Sequence, residues 1–194
     1  LLTSENTQKF IRESIKKKMD ALQVSTALNK AGYTNEERSA IMDYMALVPK
    51  FREKFLDDSR CDKFLLCDKL ALEQSTARDI GRYKANIWIA GLESLVKNKT
   101  VDNVQDEELH RPLVHDLCCG MGGDSFFIPE NFRVCGVDLD EGRLAMYRHN
   151  IRVMRPTQAQ RSMDASGDAI PGETLLGDVR EVARNNPADF FTID

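Results

Sequence analysis

Apolar residues in the first third of the chain recur at helical spacing, whereas in the last two fifths they gather in short runs that end on glycine or an acid. Phe10, Ile11, Ile15 and Met19 fall on one face of a predicted helix that Ser4 can cap and Gly32 can stop. A second predicted helix begins near Asn35, carries Glu36 and Glu37 in its first turn, and runs through Ile41, Met42, Met45 and Val48 to Pro49. Phe51, Phe55 and the run from Phe64 to Leu66 add to the same apolar supply, so residues 1–68 read as a small helical domain and 69–194 as a second unit.

In that second unit Leu70 and Leu72 alternate with polar residues, and Ser75 or Thr76 offers a cap for a helix with an apolar stripe of Ile80, Tyr83, Ile87 and Gly91. This stripe is expected to lie on a sheet, with Trp88 in the core or at a domain interface. Residues 97–111 read as a solvated connector and 155–172 as a long polar loop punctuated by Gly and Pro. The remaining order is strand, short helix, strand, helix, strand, helix, strand. The helices span 141–153 and 179–183, and the last two strands 174–176 and 189–193. Such alternation predicts an α/β fold with a parallel sheet and right-handed crossovers. A doubly wound sheet normally has more than four strands, so the chain is expected to be truncated at Asp194.

Composition narrows the class. With 194 residues and 42% apolar content a real core is available, and a net charge of -4 gives no whole-chain basic field, although a local patch remains open. Lys16, Lys17 and Lys18 form the tight basic run, read as a solvated helix face. No stretch approaches the ~20 apolar residues that span a bilayer, and no signal-peptide pattern opens the chain, so a cytoplasmic protein without a membrane partner is expected. Five cysteines, Cys61, Cys67, Cys118, Cys119 and Cys135, are odd in number, fit reduced thiols, and with His110 and His115 form no standard zinc spacing.

The chemistry concentrates in 113–124, Leu-Val-His-Asp-Leu-Cys-Cys-Gly-Met-Gly-Gly-Asp. A strand there ends near Asp116 and breaks into a glycine turn at Gly120, Gly122 and Gly123, where a bare backbone permits positive φ and close ligand approach. Eighteen residues past Gly120 a second run ends at Asp138, placed to accept from ribose hydroxyls or to cap the next helix together with Glu141. A third run ends at Asp178, which is equally suited to capping the helix that starts at Val179. Carboxylates at successive strand tips around a glycine bend describe a nucleoside crevice. Asp116 suits the sulfonium and ammonium of S-adenosyl-L-methionine and would repel a pyrophosphate. Ser125 also departs from the dinucleotide spacing, which disfavours an NAD-dependent oxidoreductase.

Asp-Leu-Cys-Cys-Gly-Met-Gly resembles the first motif of class I S-adenosylmethionine-dependent methyltransferases, and is similar to the version in several RNA-modifying members. Val137-Asp138 resembles their second motif, Gly177-Asp178 the third and Thr192-Ile193-Asp194 the start of the fourth. Leu-Glu-Gln-Ser-Thr-Ala, with Arg82-Tyr83-Lys84-Ala85 after it, resembles a bacterial family that joins this core to an N-terminal helical region and a C-terminal THUMP-like domain. The resemblance covers about 70–194 and implies a Rossmann-like methyltransferase core acting on RNA, a tRNA or rRNA base.

It also implies roles. Asp116 and the turn from Gly120 to Gly122 would line the methionine moiety, Asp138 would bind the ribose hydroxyls and Asp178 would accept from the adenine amino group, with Cys118, Leu139 and Val179 also among the cofactor-binding residues. Lys84, chosen for its charge, would neutralise the methionine carboxylate or else be a solvated helix residue. Asp194 would be the substrate-side acid, orienting a target amine. Cys118 stands where the family often has glycine, and the positions where amine-methylating relatives carry Pro-Pro after the acid would fall beyond Asp194. Cys119 reads as packing. A non-catalytic module of the same fold, serving as a scaffold, is the alternative from a different class.

Overall fold

The structure, a computed structural model, describes residues 1–55, 64–96, 112–155 and 174–193, with the backbone alone over 92–96. The expected connector at 97–111, most of the loop at 155–172, Cys61 and Asp194 lie outside the described residues. The chain divides into two compact units, Leu1–Lys69 and Leu70–Asp194.

In the first unit α1 (Glu5–Lys16), α2 (Ala21–Lys30) and α3 (Asn35–Phe55) bury Ile11, Val24, Leu28, Ile41, Tyr44 and Phe51. One helix was expected from Ser4 to Gly32, but the chain breaks at Lys18, which turns to φ 52°. The cause is a local competitor: the Asp20 carboxylate accepts from the Gln23 amide at 2.8 Å, and the Gln23 side chain accepts from the Asp20 amide at 3.0 Å. This capping box starts a new helix there. Conversely, α3 runs through Pro49 instead of ending at it. An internal proline costs about 3 kcal/mol. Continuing the helix buries Phe51 and Phe55, at 2% and 0% exposure, for roughly 1.5–3 kcal/mol each, which outweighs that cost.

The second unit opens with α4 (Lys69–Gln74) and α5 (Arg78–Val96). A parallel sheet follows, built from β1 (Leu113–Leu117), β2 (Arg133–Asp138), β3 (Thr174–Leu176) and β4 (Phe190–Ile193) in the order β3-β2-β1-β4. This is the Rossmann-like α/β arrangement expected, with the order reversing beside β1. Between β1 and β2 turns replace the expected short helix, because Cys118, Gly120 and Gly122 all take positive φ. Asp116 pairs in register with Gly136 and Thr192, which sets these three on one face. On that face α6 (Glu141–Met154) lays Tyr147 over Gly136, where a Cβ would stand 2.7 Å from the ring and 2.8 Å from Cys119 Sγ. A short helix, α7 (Val179–Asn185), adds Val182 to Leu117 and Val137 to form a second cluster.

The stripe on α5 does not pack as expected. Ile80, Tyr83 and Ile87 are 57%, 66% and 53% exposed, and among the described side chains of α5 the buried positions are Gly81 and Ala85. Phe127 approaches Gly81 so closely that a Cβ would lie 2.2 Å from its ring, so the helix is docked through its smallest residues. Trp88 is half-buried.

Candidate functional site

A cavity of about 600 Å³ opens at the carboxyl ends of β1 and β2, within the range of small-molecule sites. Among its lining residues are Asp116, Cys118 and Gly120 from the end of β1 and its turn, Asp138 from β2, and Gln74 and Ser75 from the end of α4 and just beyond. The strand tips and the glycine turn are bonded into one frame. The Gly120 amide donates to Asp138 Oδ2 at 3.0 Å, and the Asp140 amide to Asp138 Oδ1 at 3.1 Å. Thus Asp138 grips the turn, and Asp140, not Asp138, caps α6 through the amides of Gly142 and Arg143.

Cys118 has φ 61°, in the left-handed region where a Cβ is strained, which accounts for the glycine usual at this place in the family it resembles. Gly122, at φ 95°, lies beneath Phe126 and Tyr147, where a Cβ would come within 3.1 Å and 3.2 Å of their rings.

Asp116 is 2% exposed and accepts from Ser125 Oγ at 2.6 Å. Tyr147 Oη lies 2.9 Å from the same hydroxyl. Because the serine proton is committed to the carboxylate, the phenol donates to Ser125, and a chain Tyr147 to Ser125 to Asp116 fixes the acid. Burial first, and then the charge of Asp116, holds the Tyr147 phenol well above its ordinary range, so it stays a donor. Burial likewise raises the Cys119 thiol, with Asp116 and Asp138 adding to it, which suits packing rather than nucleophilic work.

Four carboxylates, of Asp116, Asp124, Asp138 and Asp140, line the cavity with one guanidinium, that of Arg143. Asp124 is 3% exposed; its Oδ2 accepts from Lys84 Nζ and from Thr192 Oγ1, each at 2.9 Å, while Oδ1 has no partner among the described residues. Lys84 is therefore anchored on Asp124 and on Thr76 Oγ1 at 3.3 Å, and is not itself among the lining residues.

Other expected residues also stand apart from the lining. Asp178 caps α7 through the Arg180 amide at 2.8 Å and pairs with the Arg180 guanidinium at 2.6 Å; these bonds hold its carboxyl well below the usual range. Val179 packs against the Leu117, Val137 and Val182 cluster, and Leu139 is 72% exposed. Asp194 lies outside the described residues. The sequence reading overlooked Asp124, Asp140 and Arg143. The first directly follows the last glycine of the turn, and the other two are the N-cap of α6 and a residue of its first turn, a signal that spacing does carry.

A solved protein from Porphyromonas gingivalis W83, whose description assigns it provisionally as a methyltransferase, superposes with a TM-score of 0.55 at 18% identity over 98% of this chain. The chain shares the Rossmann-like α/β fold of that protein. It spans 41% of the length of that neighbour. No family model matches the chain, and no curated protein matches it in sequence. Among the described residues no helix is long and apolar enough to cross a membrane.

Proposed function

We propose that the cavity binds S-adenosyl-L-methionine and that the protein is a methyltransferase acting on an RNA base. The observation that carries this reading is the convergence of Asp116, Asp124 and Asp138 on one cavity at the strand tips, around a turn whose Gly120 amide donates to Asp138. A cation about 4 Å from one carboxylate gains roughly 4 kcal/mol at an effective dielectric near 20, and a pyrophosphate loses as much. Arg143 offsets one of these charges, and Lys84 another. The balance still favours a ligand carrying a sulfonium and an ammonium over NAD.

Asp138 has unused acceptor capacity on both oxygens for ribose hydroxyls. Asp116, with Cys118 and Gly120, faces the methionine part, and Asp124 Oδ1 offers an acceptor to its ammonium. When bound, the cofactor supplies an activated methyl group. The chain's own work is to hold charge and orientation: the Tyr147, Ser125 and Asp116 series keeps one carboxylate in place without solvent, and alignment supplies most of what methyl transfer requires. Asp194, next after β4, remains the candidate for orienting a target amine.

RNA as the substrate rests on the motif resemblance alone. Equilibrium dialysis with methyl-labelled cofactor, followed by transfer into total tRNA and rRNA, tests both parts. Retention of label by the protein and its appearance in one RNA fraction is the expected result. Retention without transfer to any pool would indicate the scaffold alternative, and no retention by folded protein would end the cofactor reading.

A further inference from the structure

The helical unit holds a second cavity, of about 340 Å³, between α1 and α3. Its floor is apolar: Ile11, Val48, Phe51 and Phe64 are each less than a tenth exposed, and Tyr44 stacks on Phe64 with ring centroids 4.9 Å apart. Its charged lining is of one sign. Arg12 and Lys16 come from α1, four residues apart and so on the same face, and Arg52 comes from α3; no carboxylate is among the lining residues. Arg12 lies over the Phe64 ring at 5.7 Å and bonds Gln8 at 3.2 Å. Among the described residues Lys16 and Arg52 meet no acid, and both are exposed. Lys17, by contrast, pairs with Glu13 at 3.7 Å and stands outside the lining. Arg52 and Arg12 line the same cavity as the buried Tyr44 ring, one from each helix.

Three cations with no carboxylate beside them among the described lining residues repel one another, and an anionic ligand relieves that repulsion. An apolar floor beneath cations fits a ligand with phosphates outside and a flat apolar body inside. We propose that this cavity grips single-stranded RNA, with Arg12, Lys16 and Arg52 on successive phosphates and one unstacked base against the floor. A basic groove joined to an apolar, aromatic bed is the general solution for holding a single strand. The inference deepens the RNA part of the proposed function and is independent of its cofactor part.

The experiment measures fluorescence anisotropy of a labelled mixed-sequence single-stranded RNA, about twelve nucleotides long, with the full chain over a range of salt. A peptide of matching negative charge is run alongside. The wild type is expected to bind the RNA more tightly than the peptide. The Lys16→Gln/Arg52→Gln variant, altered at two exposed positions, is expected to lose about tenfold in affinity. The slope of log K against log salt should fall by about 1.4, or roughly 0.7 per phosphate contact. Lys17→Gln/Lys18→Gln, with the same loss of charge off the cavity, should change both quantities by less than half as much.

Equal losses in the two variants would mean a diffuse charge effect and overturn the proposal, as would unchanged binding in the first or tighter binding of the peptide. S-adenosylhomocysteine affinity, measured on the same samples, should be equal in wild type and variant. It verifies that the α/β unit is intact, while circular dichroism verifies the helices. RNA methylation that persists with no effect of Lys16→Gln/Arg52→Gln on binding would sink this inference alone. Absence of cofactor binding beside intact RNA binding would sink the cofactor reading alone.

Discussion

Arg155 gives the sharpest test of how the cavity is supported. Its side chain, 1% exposed at the end of α6, donates to the carbonyls of Ser125 at 3.3 Å, Pro129 at 3.1 Å, Phe132 at 2.9 Å and also Ile128. One guanidinium thus ties together the segment that leads from the glycine turn, with Asp124 and Ser125 at its start, to β2. Arg155→Met keeps the length and removes every donor. Three of the four carbonyls belong to buried residues, and an unmet buried acceptor costs about 1–3 kcal/mol, partly recovered by burying the thioether. The expected loss is therefore about 3–5 kcal/mol, in the range reserved for broken buried networks. Trp88 is the one tryptophan and lies on α5, so urea unfolding followed by its fluorescence reports on the α/β unit. Arg155→Lys, which keeps the charge without the planar fork, should fall between. A loss below about 1 kcal/mol for the Met variant would refute the reasoning, since it would mean that these carbonyls find equal partners without the guanidinium.

Other outcomes follow from the same packing and charge. Gly136→Ala forces a methyl into Tyr147 and Cys119 and should cost about 1–3 kcal/mol in urea unfolding, because the ring it meets is fully buried and cannot withdraw. Lys84→Met leaves Asp124 buried without its cation and should destabilise by about 3–5 kcal/mol, whereas Lys84→Met combined with Asp124→Leu should recover much of that in the same assay. Burial lowers the His115 pKa, so the folded state binds fewer protons than the unfolded chain once the pH drops below the unfolded value near 6.5. Stability should accordingly decline as pH falls from about 6.5 toward 5, and His115→Leu should flatten that part of a pH series of urea midpoints. Burial and the charge of Asp68 push Cys67 up to about 12, so at pH 8 this thiol should resist iodoacetamide in the native protein, as read by peptide mass analysis.

Sequence pattern was most informative where one local interaction dominates. The strand tips near Asp116 and Asp138 were legible because buried parallel strands are short apolar runs, and an acid at or next to the last residue of each interrupts the run. The course of α3 past Pro49 was not, since the proline signal is local and the burial of Phe51 and Phe55 that overrides it is tertiary. The face of α5 misled for a related reason. An apolar stripe of Ile80, Tyr83 and Ile87 suggests burial, yet Phe127 sits against Gly81, where any bulk would clash, and the buried side carries Gly81 and Ala85 instead. Charge alone suggested a ligand role for Lys84; its partner Asp124, forty positions away, is a fact of folding. Asp178 was correctly open to a capping role, and the Arg180 pair makes that its structural work.

The central claim is that carboxylates around the glycine turn hold an adenosyl amino-acid ligand. Isothermal titration of the folded protein with S-adenosylhomocysteine tests it most directly, with Asp138→Ala and Asp116→Asn measured beside the wild type and NADH as the competing ligand. The account predicts one site, a loss of about tenfold or more in each variant, and no heat from NADH. Wild-type protein that gives no heat with S-adenosylhomocysteine, or variants that bind it as tightly as wild type, would contradict it.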